Sequence, residues 1–224
     1  MANHAFASFW LREYSEETML ERFGSFVATV PFSATRRGFT ELVVRAVGAS
    51  ESPVAEFDAR SRPLEAGELV EIAREYVHDD SCFEVQAHWD LWTYEQTSGR
   101  WQLGPQPLEI YCSGEAYDEG AWRENGHLQV DAGFEHLFTG HAGLLGIRPH
   151  AGAPPEHPAE KEFLDAMAKP ESLRAYHEKT RENIRKLMHW ASQVEAAVPV
   201  ERFQMWSEGE ENFEARMEEI LAVR

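Results

Sequence analysis

The chain has 224 residues, with 21 Lys and Arg against 39 Asp and Glu, a formal net charge of −18. Hydrophobic residues make up 43% and aromatics 12%, enough apolar mass to fold, which excludes a disordered acidic tail. The charge excludes a nucleic-acid binder and a binder of anionic membranes, because phosphate affinity needs clustered Lys and Arg, and the pairs Arg36–Arg37 and Arg185–Lys186 extend into no patch.

In chain order, Phe6 to Leu11 reads as a strand. Ser15 is a helix N-cap, with Glu16 and Glu17 placed where the helix dipole favours acids. Met19, Leu20, Phe23, Phe26, Val27 and Val30 follow at helical spacing, and Pro31 marks the stop. Phe39 to Val47 and Val54 to Asp58 read as strands around a turn. Leu69 to Val77 is a second amphipathic helix, and Cys82 to Glu95 a long strand. This βαββαβ order over residues 6–95 resembles the ferredoxin-like split arrangement. The resemblance is topological and brings no catalytic residues with it.

The Thr97-Ser98-Gly99 turn predicts that Cys82–Glu95 folds back on Trp101–Leu103 as a hairpin. Leu108 to Cys112 and His127 to Ala132 add strands, with Tyr117 to Asn125 as an exposed loop between them. Prolines 149, 154, 155 and 158 mark residues 147–158 as a linker. Beyond it, residues 159–168 and 171–197 read as helices. On the second, Leu173, His177, Thr180, Ile184, Leu187, Ala191, Val194 and Val198 form a narrow seam suited to the sheet or to a second copy. Phe203 to Trp206 is a short strand. Ser207-x-x-Glu210 is a capping-box pattern ahead of a last helix with Phe213, Met217, Ile220 and Leu221. The expected fold class is therefore α+β. An antiparallel sheet with a ferredoxin-like half is extended by further strands (1–146), then a linker, then a helical region (159–224) packed on the sheet.

Candidate chemistry lies on alternating strands, where successive side chains point to opposite faces. Phe83, Val85, Ala87, Trp89 and Leu91 form a core face. Glu84, Gln86, His88, Asp90, Trp92 and Tyr94 form the other. Glu109 and Tyr111 share a face on the next strand, as do His127, Gln129 and Asp131 on the one after. If the three strands are neighbours in register, His88, Asp90, Trp92, Tyr94, Glu109, Tyr111, His127, Gln129 and Asp131 form one ligand-binding surface with aromatic walls. Imidazoles and carboxylates so gathered suit acid–base work near neutral pH. A second segment, Phe134 to Gly146, carries His136 and His141 among glycines, and reads as packing between sheet and helices.

The exclusions are wide. All four lysines (Lys161, Lys169, Lys179, Lys186) lie late, so no Schiff-base or phosphate-loop lysine sits in the first 160 residues. The usual nucleotide, zinc-protease and serine-hydrolase motifs are absent. Cys82 and Cys112 make neither a disulfide framework nor a zinc site. No metal or cofactor is expected, and no signal or membrane segment is read, so a reducing, cytoplasmic location is expected. The favoured reading is a non-catalytic binding module for a basic protein or a small molecule. The alternatives are a small hydrolase or isomerase using His88, Asp90, Glu109, His127 and Asp131, and a homodimer formed through the late helices. Residues before 158 carry 11 basic and 25 acidic groups, a net −14, so a partner drawn by charge should meet the sheet side.

Overall fold

Seven strands make one antiparallel sheet in the computed structural model, which describes residues 3–95, 98–140, 158–167 and 169–222. The elements run β1 (His4–Leu11), α1 (Glu16–Val27), β2 (Glu41–Ala46), β3 (Ala55–Asp58), α2 (Ala66–Ala73), β4 (Ser81–Glu95), β5 (Arg100–Ser113), α3 (Trp122–Asn125), β6 (Leu128–Phe134), α4 (His136–Thr139), α5 (Pro158–Met167), α6 (Pro170–Ala197), β7 (Val200–Ser207) and α7 (Phe213–Ala222). The expected linker, apart from Pro158, and the segment from His141 to Gly146 lie outside the described residues.

The α+β class holds, and the first six elements occur in the expected order. The ferredoxin-like strand order does not. The sheet runs β3-β2-β4-β5-β6-β1-β7. In a split βαβ unit the first and fourth strands are neighbours, whereas here β5 and β6 separate them. The physical reason is the tight β4–β5 hairpin, paired from Cys82↔Ser113 to Glu95↔Arg100. It occupies the β4 edge that β1 would need, and β1 pairs instead with β6 and β7.

One core lies on one face. Phe83, Val85, Trp89, Ile110 and Val130 of the strands meet Met19, Phe23 and Phe26 of α1, Leu69 of α2, Phe138 of α4, Ile184 and Leu187 of α6, and Phe213 and Met217 of α7. The α6 seam from Thr180 to Val198 is buried in this chain's own core. Ser15 opens α1 as expected, and its N–H donates to the Thr18 hydroxyl. Ser207 does not cap α7. It ends β7, receives the Glu210 N–H on its hydroxyl, and the helix starts at Phe213.

β5 is one strand, not two, and runs through Pro105 and Pro107. Proline cannot donate to a ladder, so it is tolerated only where its nitrogen faces a free edge. β6 meets β5 only from Glu109 to Cys112, which leaves that edge free at both prolines.

Asn183 of α6 seals the other free edge. Its Oδ1 accepts the Trp92 N–H at 2.8 Å, and its Nδ2 donates to the Trp92 and Leu137 carbonyls at 3.0 and 3.1 Å. It is 3% exposed. Asn183→Ala orphans three backbone groups and should lower stability by about 2–3 kcal/mol, read from the urea midpoint.

Candidate functional site

The polar sides of β4, β5 and β6 do align. Residues opposite each other in antiparallel pairs share a face, and one row crosses the whole sheet. It runs Asp58, Glu41, Gln86, Glu109 and Asp131 over β3, β2, β4, β5 and β6, then Phe6 and Trp206 on β1 and β7. The next row holds Glu56, Val43, Glu84, Tyr111 and Gln129, then Ser8 and Gln204. The face is acidic in the middle and aromatic at one end. Phe6 stacks on Trp206 at 4.3 Å, and the Trp206 indole donates to the Ser8 hydroxyl.

The carboxylates differ in their company. Arg60 binds Asp58, Arg45 binds Glu84 through Nε at 2.7 Å, and His4 Nδ1 lies 2.6 Å from Asp131. Glu109 receives the Tyr111 hydroxyl at 2.8 Å and has no cation bound to it among the described residues. It sits directly opposite Asp131. Burial pushes the Asp131 carboxyl up, the Gly133 N–H and His4 pull against it, and Glu109 adds to the rise. Burial and the hydrogen bond to Glu109 push the Tyr111 hydroxyl well above its ordinary value.

The remaining expected residues lie elsewhere. His88 meets Arg36 at 3.1 Å, and burial, then that guanidinium, lower its pKa. Asp90 accepts the Ala34 N–H. Burial opposes its ionisation, but that bond, the Ser33 hydroxyl and Lys186 hold it below the usual carboxylate range. Both residues anchor the loop after α1. Trp92 and Tyr94 lie beyond the reach of β6, where the hairpin meets the helices. Glu182 receives the Trp92 indole N–H, Lys179 lies 3.7 Å from that ring's centroid, and Tyr94 meets Phe163 of α5 edge-on. Helices α5 and α6 thus cover these two aromatics.

His127 precedes β6 and is 3% exposed. It is sandwiched between Tyr14 and Trp122, with ring centroids 4.2 and 4.4 Å away. Its Nδ1 accepts the Leu11 N–H at 2.9 Å, so the proton sits on Nε2, which has no hydrogen-bond partner among the described residues and lies 3.8 Å from Glu115. Burial lowers its pKa to about 4. The five residues of the hydrolytic alternative thus divide. Glu109 and Asp131 adjoin, whereas His88, Asp90 and His127 each serve a separate contact. Among the described residues, no group of three or more His, Cys, Asp or Glu is placed to hold a metal ion.

The segment 114–126, expected as an exposed loop over most of its length, instead folds over one end of the polar face. Tyr117 is 5% exposed. Asp118 and Glu119 take left-handed backbone at φ 47° and 56°, and Val47 across from them sits at φ 70°. A β-branched residue there is strained. Two hydrogen bonds hold it, from its N–H to the Asp80 carbonyl and from the Asp118 N–H to its own carbonyl. Gly126, at φ 88°, brings the segment back against β1, where a Cβ would lie 2.9 Å from the Phe9 backbone. Beneath the segment is a hollow of about 160 Å³ that reaches Glu84, Tyr111 and Gln129. Strand alternation reached Tyr111 and Gln129. Glu41 sits on a strand whose alternation also shows it, whereas His4 and Tyr117 carry no comparable sequence signal.

Among the described residues, no helix is long and apolar enough to cross a membrane. Comparison with protein-family models, with curated proteins and with solved structures finds no match to this chain.

Proposed function

We propose that this chain is a non-catalytic binding module that engages a basic protein partner through the acidic face of its sheet. The observation that carries the reading is the row of carboxylates Asp58, Glu41, Glu109 and Asp131, with Glu109 and Asp131 directly opposed. Like charges facing each other across strands destabilise a sheet. Arg60, Arg45 and His4 offset part of the charge, whereas Glu41 and Glu109 have no cation bound to them among the described residues, and such unpaired carboxylates are suited to a partner of opposite charge. Two buried free cysteines on opposite faces of the β4–β5 pair suit a reducing, cytoplasmic setting.

The test uses a synthetic peptide rich in Lys and Arg, with binding followed by fluorescence anisotropy. Affinity should fall at least tenfold as salt rises from about 20 to 200 mM. The triple variant Glu41→Gln, Glu109→Gln, Asp131→Asn should lose most of the binding. Glu195→Gln, Glu211→Gln, Glu218→Gln changes net charge equally, away from the face, and should keep it. Equal losses in both variants would mean that net charge alone attracts the peptide, and would refute a specific surface. The hydrolase or isomerase alternative retains one supporting feature, the adjoining Glu109 and Asp131 with the Asp131 carboxyl pushed up by burial.

A further inference from the structure

We infer that the hollow beneath residues 114–126 is a socket for one alkylammonium or guanidinium group. The inference deepens the reading of the neighbouring face as a surface for basic partners.

Three features of the socket converge. The first is an available carboxylate oxygen. Glu84 lines the hollow, and Arg45 occupies Oε1 through its Nε, while no described residue bonds Oε2. The second is an unused hydroxyl. Tyr117 is 95% covered yet lines the hollow, and its hydroxyl has no hydrogen-bond partner among the described residues. With no internal partner, that hydroxyl is open to a donor or acceptor that enters the hollow. Burial, then the charges of Cys82, Glu84 and Asp118, resist its ionisation, so it stays a neutral hydroxyl. The third is shape and charge. Asp118 adds a second carboxylate, and Tyr111, Tyr117 and Trp122 supply aromatic surface. Carboxylates among aromatic rings attract a cation and repel an anion. At roughly 30 Å³ for a water molecule, the volume holds about five, the size of a guanidinium or of an ammonium with its last methylenes. The hydrogen bonds from the Val47 N–H to the Asp80 carbonyl and from the Asp118 N–H to the Val47 carbonyl hold the strained cover in place over the socket.

The cation has two potential sources, a free amine or an Arg or Lys side chain of a protein partner. The experiment titrates n-butylammonium and Nα-acetyl-arginine amide into the full chain, with n-butanol and acetate as controls. It follows the Gln129 side-chain amide and the Trp122 indole N–H by NMR. Both cations should give saturable shifts at these two groups, and the controls none. Tyr117→Phe and Glu84→Gln should each weaken binding about fivefold to tenfold, and Glu195→Gln should leave it unchanged. If a variant fails to fold, the shift map of the unaltered chain still decides. Shifts confined to other residues, or equal shifts with n-butanol, would overturn the inference. Displacement of the basic peptide from Gln129 by n-butylammonium identifies a protein side chain as the natural occupant, and cation binding without competition identifies a free amine. If the peptide binds through Glu41 and Glu109 while no cation enters the hollow, the socket is refuted and the acidic face stands. If cations bind in the hollow and the peptide does not bind, the socket stands and the face reading fails.

Discussion

Trp89→Ala should cost about 3–5 kcal/mol, the range for emptying a large buried aromatic site, and shift the urea midpoint accordingly. Trp89 is fully buried at the centre of the sheet's covered face. Its ring tilts against Phe138 at 6.1 Å and Trp190 at 5.9 Å, so it joins β4 to α4 and α6 together. Its indole N–H has no hydrogen-bond partner among the described residues. Trp89→Phe therefore removes volume and an unsatisfied donor at once. The second effect offsets part of the first, and the variant should lose no more than about 1.5 kcal/mol. Equal losses in the two variants would mean that the indole N–H carries a contact of its own.

Acidification should weaken the fold through His127. Its folded pKa of about 4 lies below the ordinary 6.5 because burial disfavours the imidazolium. As pH falls through 6.5, the unfolded chain takes up this proton and the folded chain does not. Stability is lost progressively between pH 6.5 and 4, by roughly 3 kcal/mol for this one group. Other groups titrate in the same window, so the measurement is a difference. Urea midpoints from pH 7 to 4 should fall more steeply for the native chain than for His127→Gln. Glutamine cannot charge, and its amide oxygen can still accept the Leu11 N–H. Parallel slopes would refute the assignment.

Local periodicity carries a long way in this chain. The alternation of β4, β5 and β6 tells which residues face the core and puts Gln86, Glu109 and Asp131 on polar faces, and the pairings of the sheet then set them in one row. A period of two has this power because one face must be buried. It says nothing about which strands pair, and so β1 was misplaced beside β4. It also assumes a flat strand. Trp92 and Tyr94 share the parity of Glu84, yet twist carries them to α5 and α6. The segment 114–126 was hidden for another reason. Its composition is that of a loop, and Tyr117 is buried by strands that are distant in sequence. Residues 101–103 and 108–112 read as separate strands, and only the shortness of β6 lets one strand run between them through Pro105 and Pro107.

The place of β1 has a consequence for assembly. Its neighbours come late: Phe9 pairs with Leu128, and Ala5 with Ser207, some 200 residues on. Contacts so distant in sequence slow folding, because a long loop must close before they form. In chain order the β2–β5 portion can pair while β1 still has no strand partner, with only α1 to cover its apolar side, where Phe9 meets Phe26 edge-on. β1 is thus among the last strands to be secured, and while it waits for β6 and β7 its unpaired edges are open to aggregation or to a chaperone's hold.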